Sequence, residues 1–99
     1  MSLHLQKPII FFDLETTGLD ISTSRIIEMS FLKIYPDKKE EIYTKVLNPE
    51  VLIPSETTAL HGFTDEDVKD MPKFRDIAKE LIQFIGNSDL AGYNVLRFD

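Results

Sequence analysis

Two carboxylates one residue apart, Asp13 and Glu15, close an apolar run over residues 9–12. A run of this kind reads as a strand buried on both faces. Side chains alternate along a strand, so Asp13 and Glu15 share one side of it. Two acids side by side repel unless something positive lies between them. Their hard oxygen donors suit Mg²⁺ or Mn²⁺. The same residues also fit a plain strand end, with both acids facing water in the turn made by Gly18. The motif by itself leaves both readings open.

The chain that must position these acids has 99 residues, room for one small domain. With 42% hydrophobic residues, seven Phe and three Tyr, it has the material for a core. The absence of cysteine removes disulfides and thiolate metal sites. No stretch approaches the ~20 apolar residues that span a bilayer, and no signal-peptide pattern opens the chain, so the expectation is cytoplasmic. The net charge of −6 argues against a non-specific nucleic-acid binder working through a basic face. It leaves open an enzyme whose carboxylates hold cations that in turn meet phosphate.

Residues 25–35 alternate Ile27, Met29 and Phe31 against Glu28 and Ser30, which predicts a long strand. Pro36-Asp37-Lys38-Lys39 has hairpin-turn composition, and residues 42–47 form a returning strand that Pro49 ends. Three strands joined in order make an antiparallel meander. Ile53-Pro54-Ser55 can open a short helix that Gly62 stops, and Thr64 can cap the acidic turn Asp65-Glu66-Asp67. Phe74, Ile77, Ala78, Leu81, Ile82 and Ile85 recur at helical spacing as one core stripe. Residues 90–93 lead into a further strand, completing an α/β layer. Glu28, Glu40-Glu41 and the Asp65-Glu66-Asp67 run read as solvated faces or helix-end charges.

Phe12-Asp13-Leu14-Glu15-Thr16-Thr17-Gly18-Leu19 resembles the first motif of the DnaQ-like 3′–5′ exonucleases, the DEDDh nucleases with an RNase H-like fold. Leu60-His61-Gly62-Phe63-Thr64 is similar to that family's His-Gly-Ile-Thr segment. Gly92-Tyr93-Asn94-Val95-Leu96-Arg97-Phe98-Asp99 resembles its second motif. Three motifs in the family's order are far more specific than any one of them. The second is closer to the exonuclease I branch. Tyr93 stands where replicase proofreading subunits carry His, and one extra residue separates Asn94 from Phe98.

The resemblance implies an α/β fold with an RNase H-like mixed sheet: an antiparallel meander, then a helix and a parallel strand. It implies metal-dependent removal of nucleotides from 3′ ends by two-metal phosphodiester hydrolysis, with Mg²⁺ or Mn²⁺. On it, Asp13 bridges both ions, Glu15 ligates the nucleophile-side ion and Asp99 the other. Thr16 and Thr17 would meet the terminal 3′-OH, Leu19 would wedge against the last bases, and His61 would lie over the terminal sugar or base. As plain structure, the threonines are turn residues, Leu19 is core and His61 caps the short helix. Asn94 is expected to order the backbone around Asp99 and Phe98 to be core, while Arg97 fits phosphate contact or solvation equally. A general-base His and a fourth Asp are expected beyond Asp99. Residues 1–99 thus read as the N-terminal portion of one exonuclease domain, its C-terminal part missing, with negligible turnover alone.

The implied partners are the 3′ end of single-stranded DNA or RNA and, for a proofreading member, a DNA polymerase. An uncovered sheet face and edge would lead the portion to self-associate. Two other readings compete. A haloacid-dehalogenase-type phosphotransferase also ends its first strand in acid-x-acid-Thr, but with Asp as the second acid and a mainly parallel sheet. A degenerate, non-catalytic module of the same fold would bind nucleic acid or a partner without cleavage.

Overall fold

The structure, a computed structural model, describes residues 6–18 and 25–92. Its sheet has the order β3-β2-β1-β4, with β1 (Ile9–Thr16), β2 (Ile26–Ile34), β3 (Glu40–Val46) and β4 (Asp89–Gly92). β1 pairs antiparallel with β2, β2 pairs antiparallel with β3, and β4 runs parallel to β1. The meander, and the parallel strand that follows a helix, are those expected. The β2–β3 turn places Lys38 at φ 73° and closes through the Lys38 and Tyr35 N–H groups, which donate to the carbonyls of Tyr35 and Lys39. Asp37 accepts the Lys39 N–H, the local bond that makes Asp a turn former. β1 extends beyond its apolar run because residues 13–16 go on pairing with β2.

Three helices follow the meander: α1 (Ser55–His61), α2 (Asp65–Val68) and α3 (Phe74–Ile85). Gly62 ends α1 at φ 83°, its N–H donating to the Thr58 carbonyl, a conformation glycine adopts without Cβ strain. Thr64 and Asp67 form a reciprocal capping box on α2. On α3 the buried residues are Ile77 and Leu81, joined by Phe84 and Ile85. The expected stripe is therefore corrected at two positions. Ile82 is 69% and Phe74 46% exposed. Successive helical residues turn by about 100°, which carries Ile82 to the flank of the Ile77–Leu81 line. Phe74 opens the helix almost one turn before its first buried position.

α3 covers one face of the sheet. Ile10, Met29, Phe31 and Leu47 meet Ile77 and Leu81 there, with Phe12 and Leu14 packed against them. The Phe31 ring meets Phe12 edge-on at 5.9 Å and stacks with Phe84 at 6.3 Å. Lys33 is charged yet only 7% exposed. Its amine donates to the Phe84 carbonyl and lies 5.0 Å and 5.2 Å from the Tyr35 and Phe84 ring centroids. A cation there satisfies carbonyls at the helix C-terminus. The Tyr43 hydroxyl donates to Glu80 at 2.6 Å, tying β3 to α3, and Lys45 lies 3.3 Å from the same carboxylate. Burial, then that bond, pushes the Tyr43 hydroxyl above its ordinary range, while the bond holds Glu80 below the usual carboxylate range.

A second cluster, Ile27, Ile53 and Val68 with Val46 and Phe63, seats the α1–α2 segment at one end of β2 and β3. Neither cluster includes Ile9, Phe11, Leu32, Ile34 or Ile42, which the register assigns to the face opposite α3. Ile42 is 71% exposed.

Candidate metal and nucleic-acid site

The two acids lie near the end of β1, an inner strand flanked on both sides. Because Phe12 and Leu14 are packed against the α3-side core, Asp13 and Glu15 take the other face, as period-two alternation requires. Residues directly opposite in an antiparallel pair share a face. Ser30 stands across from Asp13, and Glu28 across from Glu15. All three carboxylates are half-buried, and among the described residues none has a hydrogen-bond or ion-pair partner. The Ser30 hydroxyl lies 3.3 Å from that of Thr44 on β3. Just after the Glu15–Glu28 pair the register shifts, Thr16 pairing with Ile26, so that Ile27 is the extra residue of a bulge. β4 ends level with the site, Gly92 standing beside Phe12.

The turn after β1 is held from two directions. The Thr17 N–H donates to the Arg25 carbonyl at 2.9 Å, and the Thr17 hydroxyl accepts the Arg25 N–H at 2.9 Å. The Thr57 hydroxyl of α1 lies 3.1 Å from the Thr17 carbonyl and 2.7 Å from that of Pro54. Thr17 is 5% exposed, and among the described residues its hydroxyl accepts from Arg25 without donating. Thr16 is half-buried and its hydroxyl donates to the Gly18 carbonyl at 3.0 Å. Thr57, absent from the sequence reading, is the residue that docks α1 onto the acid-bearing strand.

His61 ends α1. Its Nδ1 accepts the Phe63 N–H at 3.0 Å, which puts the proton of the neutral ring on Nε2. That Nε2 is buried and without a hydrogen-bond partner among the described residues, a donor left open. The ring sits 5.4 Å from Phe63. Local bonding and an open donor thus coexist on one imidazole. Leu19 and Asp99 lie outside the described residues, as do Tyr93, Asn94, Arg97 and Phe98.

Carboxylate oxygens on a shared face, with no positive side chain paired to them among the described residues, suit a hard divalent cation. Among the described residues no three His, Asp or Glu side chains converge closely enough to hold one. Asp13 and Glu15 would therefore need further ligands from outside the described residues to hold one. Glu28 was legible as an acid on a strand but not as the neighbour of Glu15, because that pairing depends on register across the segment joining β1 to β2.

Comparison with known proteins gives the family. Residues 10–99 match the exonuclease family of the RNase T type. The DNA polymerase III subunit epsilon of Buchnera aphidicola (Schizaphis graminum) is 38% identical over 95 residues, covering 87% of this chain and 40% of that protein. The PolC-type DNA polymerase III of Oceanobacillus iheyensis is 33% identical over 85 residues, 86% of this chain and 6% of that protein. Among solved structures, exonuclease I from Methylocaldum szegediense superposes with a TM-score of 0.78 at 22% identity, covering 94% of this chain and 21% of that one. E. coli exonuclease I in complex with a dT13 oligonucleotide gives 0.76 at 19% identity, over 95% and 22% of the two chains. The chain spans about two fifths of the epsilon subunit it matches. With the mixed sheet, the paired acids on its inner strand and this family match, the chain belongs to the DnaQ-like exonucleases of RNase H-like fold.

Proposed function

We propose that this chain forms the acid-bearing portion of a 3′–5′ exonuclease domain that removes nucleotides from the 3′ end of single-stranded DNA. The observation that carries it is the pair Asp13 and Glu15, on one face near the end of an inner strand, with no compensating cation among the described residues. Asp13, Glu15 and Asp99 would hold divalent ions, Mg²⁺ or Mn²⁺, which supply Lewis-acid activation of water and stabilisation of the leaving 3′ oxygen. Seven residues follow Gly92 up to Asp99, a tether of at most about 25 Å when extended. The Thr17 hydroxyl hydrogen and the His61 Nε2–H are donors suited to sugar and phosphate oxygens. Thr16 would meet the terminal 3′-OH, and Leu19 would pack against the terminal bases. With a net charge of −6 the protein meets phosphate through cations rather than lysines, which gives a shallow salt dependence.

Single-stranded DNA is supported by the relatives named as DNA polymerase III subunits and by the oligonucleotide complex of E. coli exonuclease I. Work alongside a DNA polymerase belongs to the same reading. The haloacid-dehalogenase alternative fits less well: β1 has an antiparallel neighbour in β2, and Glu15 occupies the second acid position.

The test is digestion by the full-length protein of oligonucleotides labelled at either end, with Mn²⁺ or with chelator. Labels at the 5′ end are expected to give a ladder that shortens progressively, and labels at the 3′ end to release mononucleotide at once. Release of labelled mononucleotide from the 5′ end, or digestion unaffected by chelator, overturns the proposal. Faster loss of RNA than of DNA overturns the assignment of substrate.

A further inference from the structure

The register of the first two strands gives a role to a residue outside the exonuclease motifs. Glu28 stands directly across from Glu15, on the face that also carries Asp13. Like charges directly opposite in a sheet destabilise it, and Glu15 and Glu28 are both half-buried. Nothing among the described residues offsets it. Glu28 enters no ion pair or hydrogen bond there, and no lysine or arginine is paired with Asp13 or Glu15. The nearest polar neighbours by register are hydroxyls: Ser30, across from Asp13, lies 3.3 Å from Thr44. On β2 the alternate residues Ile27, Met29 and Phe31 are buried in the two clusters, which fixes the phase of the strand and keeps Glu28 on the acid-bearing face.

We infer that Glu28 is a positioning residue of the cation site, a third carboxylate contributed by β2. This rests on the proposal that Asp13 and Glu15 hold divalent ions. Asp13, Glu15 and Glu28 do not converge into a ready-made ligand cage. Glu28 therefore acts beyond direct ligation, adding negative potential that retains the ion and accepting hydrogen bonds from its hydration water. Mg²⁺ keeps several waters when bound through one or two carboxylates, so such acceptors have work to do. Groups that orient a metal's surroundings typically change affinity by about 10–100-fold when lost.

The test compares wild-type, Glu28→Gln and Asp13→Asn forms of the full-length protein by thermal unfolding without metal and by Mn²⁺ titration followed by electron paramagnetic resonance. Glu28→Gln keeps the shape and removes the charge. It is expected to raise the metal-free Tm by about 2–4 °C, through relief of the facing charges. It is also expected to weaken Mn²⁺ binding by about 10-fold or more. A purely structural Glu28 would give the opposite sign, a lower metal-free Tm with unchanged Mn²⁺ affinity, and that result overturns the inference. Unchanged Tm and unchanged affinity overturn it equally. If the wild type itself binds no Mn²⁺, the proposed cation site fails first. If Asp13→Asn loses binding while Glu28→Gln retains it in full, the site stands and the role of Glu28 falls.

Discussion

Asp13→Ala is expected to reduce 3′-end digestion by the full-length protein by about 10³-fold or more, with little loss of folding stability. A Lewis-acid cation contributes several kcal/mol to phosphoryl chemistry, and each 1.36 kcal/mol is tenfold in rate. Removing one of the two acids on β1 forfeits most of that. Stability should hold, because Asp13 makes no hydrogen bond or ion pair among the described residues and faces away from the α3-side core. The loss should appear in kcat at saturating DNA, since on the proposed function Asp13 would act on the reacting phosphate through the ions it holds. Rates within a few-fold of wild type would separate Asp13 from the chemistry.

The second large effect is on folding. Ile10→Ala should cost about 2–5 kcal/mol, the range for truncating a buried aliphatic side chain. Ile10 is 0% exposed, sits on β1 between β2 and β4, and belongs to the cluster that receives Ile77 and Leu81. In the full-length protein a fall in Tm of at least about 4 °C follows. Leu52→Ala is the control. Leu52 is 82% exposed, and its truncation should stay within about 0.5 kcal/mol. Equal effects from the two substitutions in denaturant unfolding would contradict the placement of β1 inside the sheet.

Much of this was legible in the chain because local signals agreed. The alternation of Ile27, Met29 and Phe31 with Glu28 and Ser30 is readable without tertiary information, as is the turn composition of residues 36–39. Gly62 and Thr64 mark helix boundaries by their own chemistry, one through φ 83° and the other through a capping box. What was not legible needed contacts across long separations. The exposure of Ile82 and Phe74 depends on how α3 lies on the sheet, which periodicity leaves free. The Thr17–Thr57 contact spans 40 residues. The facing of Glu15 and Glu28 depends on strand register, and a slip of one residue would send Glu28 to the other face. Lys33 continues the buried series of Ile27, Met29 and Phe31, but what lets a charge sit there is distant in the chain: the Phe84 ring and carbonyl at the end of α3, together with Tyr35.

The most direct measurement is anomalous X-ray diffraction from crystals of the full-length protein grown with Mn²⁺. A Mn²⁺ peak is expected against the carboxylates of Asp13 and Glu15, with the Asp99 carboxylate on the same ion or its neighbour. Mn²⁺ bound elsewhere, with Asp99 remote from the acids of β1, would contradict a nuclease site built from the two motifs.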